Sequence, residues 1–188
     1  MSSQVLYTML IALLALERTY ELGLSRQNAQ WARRRGGVEY GRAHLGWMKL
    51  LHIAWFVGCI IEVWYADRPF VPWLAGLCFS LLVLAQALRY WAVRTLGRRW
   101  NIAVIVLPGV AVEHSGPYRW LRHPNYLAVV VEGFAVPMIH CAYVTALVFT
   151  VLDAWLLRHR IRCEEEALSR HGEFAERLGD RPRLLPRW

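Results

Sequence analysis

Long blocks of apolar residues set the main constraint on how this chain of 188 residues can fold. A helix that crosses a bilayer needs about 20 mostly apolar residues. Five such blocks leave room for short connections and for no separate soluble domain, so the sequence predicts a single membrane-embedded domain over residues 1–188. The blocks cover residues 3–24, 45–65, 70–93, 126–139 and 143–157.

The fourth and fifth blocks are short for independent spans, and a turn is expected near residues 137–141. We predict that they form a helical hairpin that tilts or crosses only in part. The predicted fold class is therefore an all-α integral membrane protein. It has about five transmembrane helices, a connector over residues 94–125 and a C-terminal helix.

Positive charge falls almost entirely on one side of the predicted spans. Of the 22 Lys and Arg residues, 21 are Arg and only Lys49 is Lys. With the N-terminus outside, eighteen of them lie in the loops after the first and third spans and in the tail, and Arg68 alone lies on the other side. This asymmetry predicts that the Arg-rich side and the C-terminus are cytoplasmic, in an inner or plasma membrane. Because the net charge of +8 is then a topology signal, we expect membrane lipids around the chain and no nucleic-acid partner.

Several kinds of site lack the residues that they need. The sequence has no GxxxxGK[ST] loop, no GxGxxG turn after a strand and no HEXXH pair. Its His residues do not form the clusters of a membrane di-iron enzyme, so we expect no metal. The cysteines show no CxxC spacing and are predicted to be core thiols without a disulfide framework: Cys59, Cys78, Cys141 and Cys163.

Ionisable residues inside the predicted spans indicate a polar pocket, because such residues are costly in lipid and face a bundle interior or a cavity. Glu17 and Glu21 share a face of the first helix with Ser25 and Asn28. The alternative is that these groups form structural ion pairs with Arg18 and Arg89 or reach the interface. Four residues are candidates for substrate binding: Glu17, Glu21, His52 and Arg89.

Glu132 and Asp153 stand on the two arms of the predicted hairpin. We expect both carboxyl groups to lie inside the bundle.

The segment GPYRWLRHPNY, residues 116–126, leads into the fourth block. Pro124 suits the first turn of a helix because it has no N–H to satisfy, and the N–H groups there attract anionic groups. The alternative is a helix start with an interfacial aromatic belt and positive-inside arginines. The segment holds side chains that suit a flat, charged cofactor at the membrane surface: Tyr118, Trp120, Arg122, His123 and Tyr126.

A second segment, RIRCEEEAL, follows the fifth block at residues 160–168. Arg160 and Glu164 are four residues apart and share one helix face. Taken alone, the pair is typical of a solvated amphipathic tail.

Together, GPYRxxRHPxY before a short hairpin and RIxxEExxL after it resemble the isoprenylcysteine carboxyl methyltransferase (ICMT) family of membrane enzymes, over residues 94–186. In the first half, the strings ERTYELGLSRQNAQW, RGGVEYG and MKLLH are similar to a bacterial branch of that family that is often encoded beside type III polyketide synthases.

The resemblance implies S-adenosylmethionine as cofactor, bound without a Rossmann domain. Residues 94–188 then form the cofactor side and residues 1–93 the lipid-substrate side, with backbone contacts to the cofactor at residues 110–113. Arg160 matches a position beside the acceptor, where it would hold an anion; Arg160 and Glu164 are the candidate catalytic residues. The cofactor-binding positions match Tyr118, His123, Pro124, Asn125, Tyr126 and Glu164.

Two departures from the family pattern concern packing. Ala128 stands where the family has Gly, and the aromatic-Gly-x-x-Tyr of the tail is HGEF at residues 171–174. We expect them to change the packing of the tail more than the reaction.

The implied reaction is methyl transfer to an oxygen of a lipophilic acceptor at the cytoplasmic face. The bacterial branch implies an alkylpyrone or phenolic lipid, and the wider family implies an isoprenylcysteine carboxylate. A carboxylate or acidic enol is already ionised and needs no strong base; for a neutral phenol, Glu17, Glu21 or His52 is the candidate base.

Two other classes stay open at this point. A membrane sterol or steroid reductase has a related hairpin, and its NADPH would need the basic residues Arg98, Arg99, Arg119 and Arg122. A non-enzymatic membrane scaffold explains the spans but not the two motifs.

Overall fold

The computed structural model describes residues 2–171, 174 and 178–184, and within that part of the chain it contains five long helices and a two-stranded ribbon. The helices α4 and α5 pack together across a turn of four residues, as the hairpin prediction requires. In chain order the elements are α1 Ser3–Arg34, β1 Val38–Tyr40, α2 Arg42–Tyr65, α3 Pro72–Leu96, β2 Val104–Val106, α4 Pro124–Met138 and α5 Tyr143–His171.

The helices α1 and α5 extend well beyond the apolar blocks that predicted them. α1 continues to Arg34, and Gly36 just beyond its end has a left-handed φ of +82°. Among the described residues, two segments are long and apolar enough to cross a membrane, Leu45–Tyr65 and Pro72–Arg99. The five-span count and the orientation therefore stay predictions.

The all-α prediction needs one correction, because β1 and β2 pair as an antiparallel ribbon. Val38 faces Val106 and Tyr40 faces Val104 across it. Strands of three residues are too short to show an alternating pattern, and their partners lie more than sixty residues apart. The ribbon is held by burial, since Val104 and Val106 pack against Ala167 of α5.

Glu62 of α2 ties the start of α5 to the rest of the bundle. Its carboxylate accepts hydrogen bonds from the backbone N–H groups of Val144 and Thr145, at 3.0 and 2.7 Å. These N–H groups have no partner within α5, and the helix dipole favours a negative charge there. Arg68 balances the charge at 2.8 Å.

The outside of the bundle is apolar and its inside carries charge. Trp73 and Leu147 are 71% and 66% exposed, whereas Arg89, Glu132 and Asp153 are at most 6% exposed. Exposed apolar faces of this kind are typical of helices that contact lipid. The cysteines Cys59, Cys78 and Cys141 are buried free thiols, and Cys163 is a partly buried one, in agreement with the prediction of no disulfide framework.

Gly133 allows α4 and α5 to approach closely. A Cβ placed there would lie 2.3 Å from Cε1 of Phe149 on α5. The backbone oxygen of Gly133 also accepts a hydrogen bond from Trp55 Nε1 at 3.1 Å, which joins α2 to the same contact.

Gly133→Ala should therefore destabilise the protein by about 1–3 kcal/mol, because overpacking forces side chains or backbone to shift. The check is the thermal unfolding midpoint in detergent. Gly76→Ala on α3 is the matched control, since nothing lies within 4 Å of its added Cβ and Ala favours a helix. Equal midpoints for the two variants would contradict the close contact between α4 and α5.

Candidate active site

Two cavities meet inside the protein. The smaller, of about 150 Å³, lies between the connector, β2 and the end of α5. The larger, of about 370 Å³, lies within the bundle and takes its walls from both halves of the chain. The residues that line both are Trp100, Asn101, Asn125 and Tyr126.

The smaller cavity contains most of the residues that the motif predicted. Residues 110–113 of the connector lie along it. Pro124 is fully buried at the first position of α4 and does not line it, so its part there is to start the helix. The predicted cofactor residues that do line it are Tyr118, His123, Asn125, Tyr126 and Glu164.

Two side-chain oxygens in this cavity have no hydrogen-bond partner among the described residues. They are Oδ1 of Asn101 and Oδ1 of Asn125, and both are buried. The amide nitrogen of Asn101 is engaged, since it donates to the Arg99 carbonyl at 3.2 Å. Because a buried acceptor without a donor is costly, this pair indicates a ligand that carries N–H or O–H groups.

Tyr126 joins the two candidate catalytic residues through one hydroxyl group. It donates to the carboxylate of Glu164 and accepts from Nε of Arg160 at 2.7 Å. Arg160 is 5% exposed and lines the larger cavity, whereas Glu164 lines the smaller one. The structure therefore places Arg160 and Glu164 on opposite sides of Tyr126.

The wall between the cavities is held by polar residues of α1 and α5. Asn28 donates to the Trp100 carbonyl at 2.8 Å, and Ser25 accepts from the Ile102 N–H at 2.9 Å. The carbonyl of Ile102 accepts from Arg160. Ser25 and Asn28 thus position the connector backbone, a role that their shared helix face did not reveal.

Glu113 fixes the connector where it passes the smaller cavity. It accepts hydrogen bonds from Ser115 N–H and Oγ at 3.0 and 2.7 Å, and it pairs with Arg99. Burial alone would raise the pKa of Glu113, but the Ser115 hydrogen bonds and Arg99 lower it below its ordinary value.

Glu165 is a residue that sequence reasoning missed. It pairs with Arg183 at 2.6 Å, with His123 at 3.2 Å and with Arg122 at 3.3 Å. Backbone hydrogen bonds join the same segments, because Arg122 N–H donates to the Pro182 carbonyl at 3.0 Å. In the sequence Glu165 is one of three consecutive glutamates, and nothing there separates it from Glu164.

The pairing with Glu165 clarifies the role of His123. Nε2 of His123 faces the Glu165 carboxylate, while the ring stacks on Tyr126 with 5.3 Å between centroids and 21° between planes. His123 therefore packs its ring against Tyr126 while Glu165 holds its Nε2.

The larger cavity contains three of the four residues predicted for substrate binding from the spans alone, Glu21, His52 and Arg89. Glu17 does not line it and instead accepts a hydrogen bond from Gln86. His52 Nδ1 is hydrogen-bonded to the Met48 carbonyl at 2.8 Å. Most of the remaining wall is apolar: Leu14, Ile53, Trp55, Phe56, Phe149 and Leu157.

Four charges beside this cavity form the buried ion cluster, which we define as Arg18, Glu21, Arg89 and Glu132. Arg18 lies 2.9 Å from Glu132 and also pairs with Glu21. Arg89 pairs with Glu132 and lies 3.7 Å from Glu21. The ion-pair alternative is therefore what the structure shows for Arg18, Glu21 and Arg89, and also for Glu17, which lies 3.7 Å from Arg18. Glu132 is buried as expected.

The network around Glu165 makes the stability of the tail depend on pH. Burial by itself would raise the pKa of Glu165, but hydrogen bonds from His123 and Arg183 lower it from 4.5 to about 2. A carboxyl with a depressed pKa stabilises the fold above the unfolded-state pKa, and this contribution is lost as the pH falls toward the folded-state value.

Glu165→Gln should therefore unfold at a lower temperature than the unchanged protein at pH 7, and the gap should close as the pH falls from 4.5 toward 2. Thermal unfolding in detergent across this range is the measurement. Glu166→Gln, a change at an exposed neighbour on the same helix, is the control. A gap that stays constant with pH would show that Glu165 is not ionised in this network.

Comparison with known proteins gives a consistent result. The sequence model of the isoprenylcysteine carboxyl methyltransferase (ICMT) family matches residues 77–170. The uncharacterized protein YpbQ of Bacillus subtilis is 36% identical over 166 residues, which are 88% of this chain and 98% of that protein.

More distant relatives have a described activity. Protein-S-isoprenylcysteine O-methyltransferase of Mus musculus is 25% identical over 137 residues, which are 71% of this chain and 47% of that enzyme. The chain thus spans about half the length of this mammalian relative. In fold it is similar to the eukaryotic intramembrane Ras methyltransferase ICMT, with a TM-score of 0.51 and 22% identity over 62% of this chain and 43% of that one. Since the family model covers half of the chain, this protein belongs to the ICMT family.

Proposed function

We propose that this chain is an S-adenosylmethionine-dependent membrane O-methyltransferase that acts on a lipophilic acceptor. The observation that carries the proposal is the meeting of two cavities at Tyr126. One is formed by the connector and the end of α5, with the carboxylates of Glu113 and Glu164 in its wall, and the other is mostly apolar and lies within the bundle. Such a pair suits a polar donor molecule and a lipid acceptor whose reactive atoms must come together. Membership of the ICMT family supports the same reaction class.

The residues of the smaller cavity fit the proposed cofactor by their chemistry. S-adenosylmethionine carries ammonium, amino and hydroxyl donors, and the unpartnered oxygens of Asn101 and Asn125 are acceptors for such groups. Its positive charge suits the carboxylates of Glu164 and Glu113 along the same wall. When bound, the cofactor supplies the methyl group that is transferred.

Arg160 is proposed to hold the acceptor oxygen. Guanidinium has five N–H donors, and the described contacts of Arg160, to Tyr126 and Ile102, use two of them. Those contacts fix the plane of the group, so it can bind an anion at little cost in side-chain freedom. An acceptor anion needs no strong base, and catalysis then rests on alignment in a site that excludes water.

For the acceptor we propose an alkylpyrone or phenolic lipid, with an isoprenylcysteine carboxylate as the second candidate. The first-half strings at residues 17–31, 35–41 and 48–52 support the bacterial branch. The chain also matches the Bacillus subtilis relative over 98% of that protein but the mouse enzyme over only 47%. We further propose that the cofactor enters from the cytoplasm and the acceptor from the bilayer.

No contact among the residues that the structure describes favours the reductase alternative. Two of the arginines that it would need for cofactor phosphates are engaged within the protein. Arg99 pairs with Glu113, and Arg122 pairs with Glu165 and donates to the Arg181 carbonyl at 2.6 Å.

S-adenosylhomocysteine should raise the unfolding temperature of the protein, and NADPH should not, because a ligand stabilises the state that binds it. Glu164→Gln should weaken the binding of S-adenosylhomocysteine by about 10-fold or more, since a hydrogen bond to a charged group contributes about 1.5–3 kcal/mol. Calorimetry measures the affinity, with Glu166→Gln as the control. Stabilisation by NADPH alone would instead support the reductase.

Methyl transfer itself can be followed with radiolabelled S-adenosylmethionine, a host lipid extract and a prenylated peptide. We expect label in a free lipid with the unchanged protein and a loss of about 100-fold in kcat/KM for Arg160→Lys, which keeps the charge but not the planar donor set. Retained S-adenosylhomocysteine binding shows that the variant is folded. Label in the peptide alone would support the isoprenylcysteine acceptor, and no label in either substrate would contradict the proposed function.

A further inference from the structure

Asp153 of α5 is a buried carboxyl group that has no partner within the described part of the chain. It is 3% exposed and lines the larger cavity, yet it makes no hydrogen bond or ion pair with any residue that the structure describes. The buried ion cluster shows the contrast, because Glu132 contacts both Arg18 and Arg89. The carboxyl of Asp153 therefore has only the cavity to supply a hydrogen bond.

Apart from Lys49, which is exposed, the charged groups around the cavity are engaged elsewhere. Arg18, Glu21, Arg89 and Glu132 pair with one another in the buried ion cluster. Arg160, two turns further along α5, bonds to Tyr126 and Ile102. None of them forms a hydrogen bond or ion pair with Asp153.

His52 brings a second polar atom to the same region. Its Nδ1 is taken by the Met48 carbonyl, which leaves Nε2 without a partner within the described chain. The His52 ring lies edge-on to Phe149, with 5.4 Å between centroids. Phe149 is one turn before Asp153 on the same face of α5, so the two unpartnered groups flank one part of an otherwise apolar wall.

Such an arrangement is costly unless an occupant uses it. A buried polar group without a hydrogen bond destabilises the fold, and a leucine at position 153 would suit a hydrocarbon occupant better. Arg160 and Asp153 are seven residues apart and so share a face of α5. A molecule bound along that face meets both, with Arg160 toward the cofactor side.

We propose that Asp153 and His52 form a polar subsite that binds a free hydroxyl group of the acceptor, distinct from the oxygen that is methylated. This inference rests on the proposed function and narrows its acceptor to a hydroxylated lipid. A site built to hydrogen-bond a hydroxyl group rejects the analogue that lacks it, because its own polar groups are then left unpaired. An acceptor whose buried part is only hydrocarbon, such as a prenyl chain, leaves the carboxyl group of Asp153 without a hydrogen bond.

The test uses two lipids with the same chain, 5-pentadecylresorcinol with two hydroxyl groups and 3-pentadecylphenol with one. Binding is measured in nanodiscs with saturating S-adenosylhomocysteine, so that no transfer is needed. The unchanged protein should bind the resorcinol more tightly than the phenol by about 10-fold or more, as one hydrogen bond to an acidic group predicts. In Asp153→Leu this ratio should fall to near one, and in Asp153→Asn it should fall partly. Glu166→Gln should keep the full ratio.

A second readout separates binding from a structural role. Without ligand, Asp153→Leu should unfold at a temperature a few degrees higher, because an unpaired buried carboxyl is replaced by an apolar group. If Asp153 instead stabilised the fold, Asp153→Leu would unfold at a lower temperature than the unchanged protein. The S-adenosylhomocysteine affinity should stay unchanged in every variant.

The two proposals fail differently. A ratio near one in the unchanged protein, or a ratio that Asp153→Leu retains, overturns the subsite while methyl transfer can still stand. If neither lipid nor any other acceptor is methylated but the ratio depends on Asp153, the methyltransferase proposal fails and the subsite stands. Should Asp153→Leu not fold, the subsite and its stability prediction are overturned together.

Discussion

A polar group inside a bundle whose outer surface is apolar has no water to bond with, so it must find its partner within the protein. Most of this structure follows from that constraint. The two arginines of the buried ion cluster neutralise Glu132 where α1, α3 and α4 meet, and Glu62 satisfies the first N–H groups of α5. Three of the described buried groups that break the rule line the two cavities, and they indicate where a ligand is expected: Asn101, Asn125 and Asp153.

Tyr126 connects the two sides of the site. Its hydroxyl bonds to Glu164 on one side and to Arg160 on the other, while its ring is stacked on His123. Glu165 holds His123 and Arg122 of the connector and Arg183 of the tail, so the position of Tyr126 depends on how the tail packs. A substitution at Glu165 is therefore expected to shift Tyr126 and so alter both cavities, although Glu165 itself lines neither of them.

The parts of the site that lie close together in the sequence could be predicted. Five residues between 118 and 126 line one cavity because a short turn leads straight into α4. Arg160 and Glu164 share a face because they are four apart on one helix. The contacts of Glu165, Ser25 and Asn28 could not be predicted, since each partner lies on another element. The ribbon was missed for a related reason: two strands of three residues carry too little pattern, and only their burial against α5 selects them.

By itself, the sequence determined the apolar helices, the hairpin, the connector motif and the family, because hydrophobic blocks and local spacing act over a few turns of chain. Only the tertiary structure decided which ionisable residues pair with an opposite charge and which remain available to a ligand. Arg18, Glu21, Arg89, Glu132 and Asp153 look alike as charges within apolar blocks. Their difference comes from packing. Four of them come from three helices and pair with one another, whereas Asp153 lies on a fourth helix and lines a cavity. Pairing between distant segments depends on distances of a few ångströms, which no local pattern encodes.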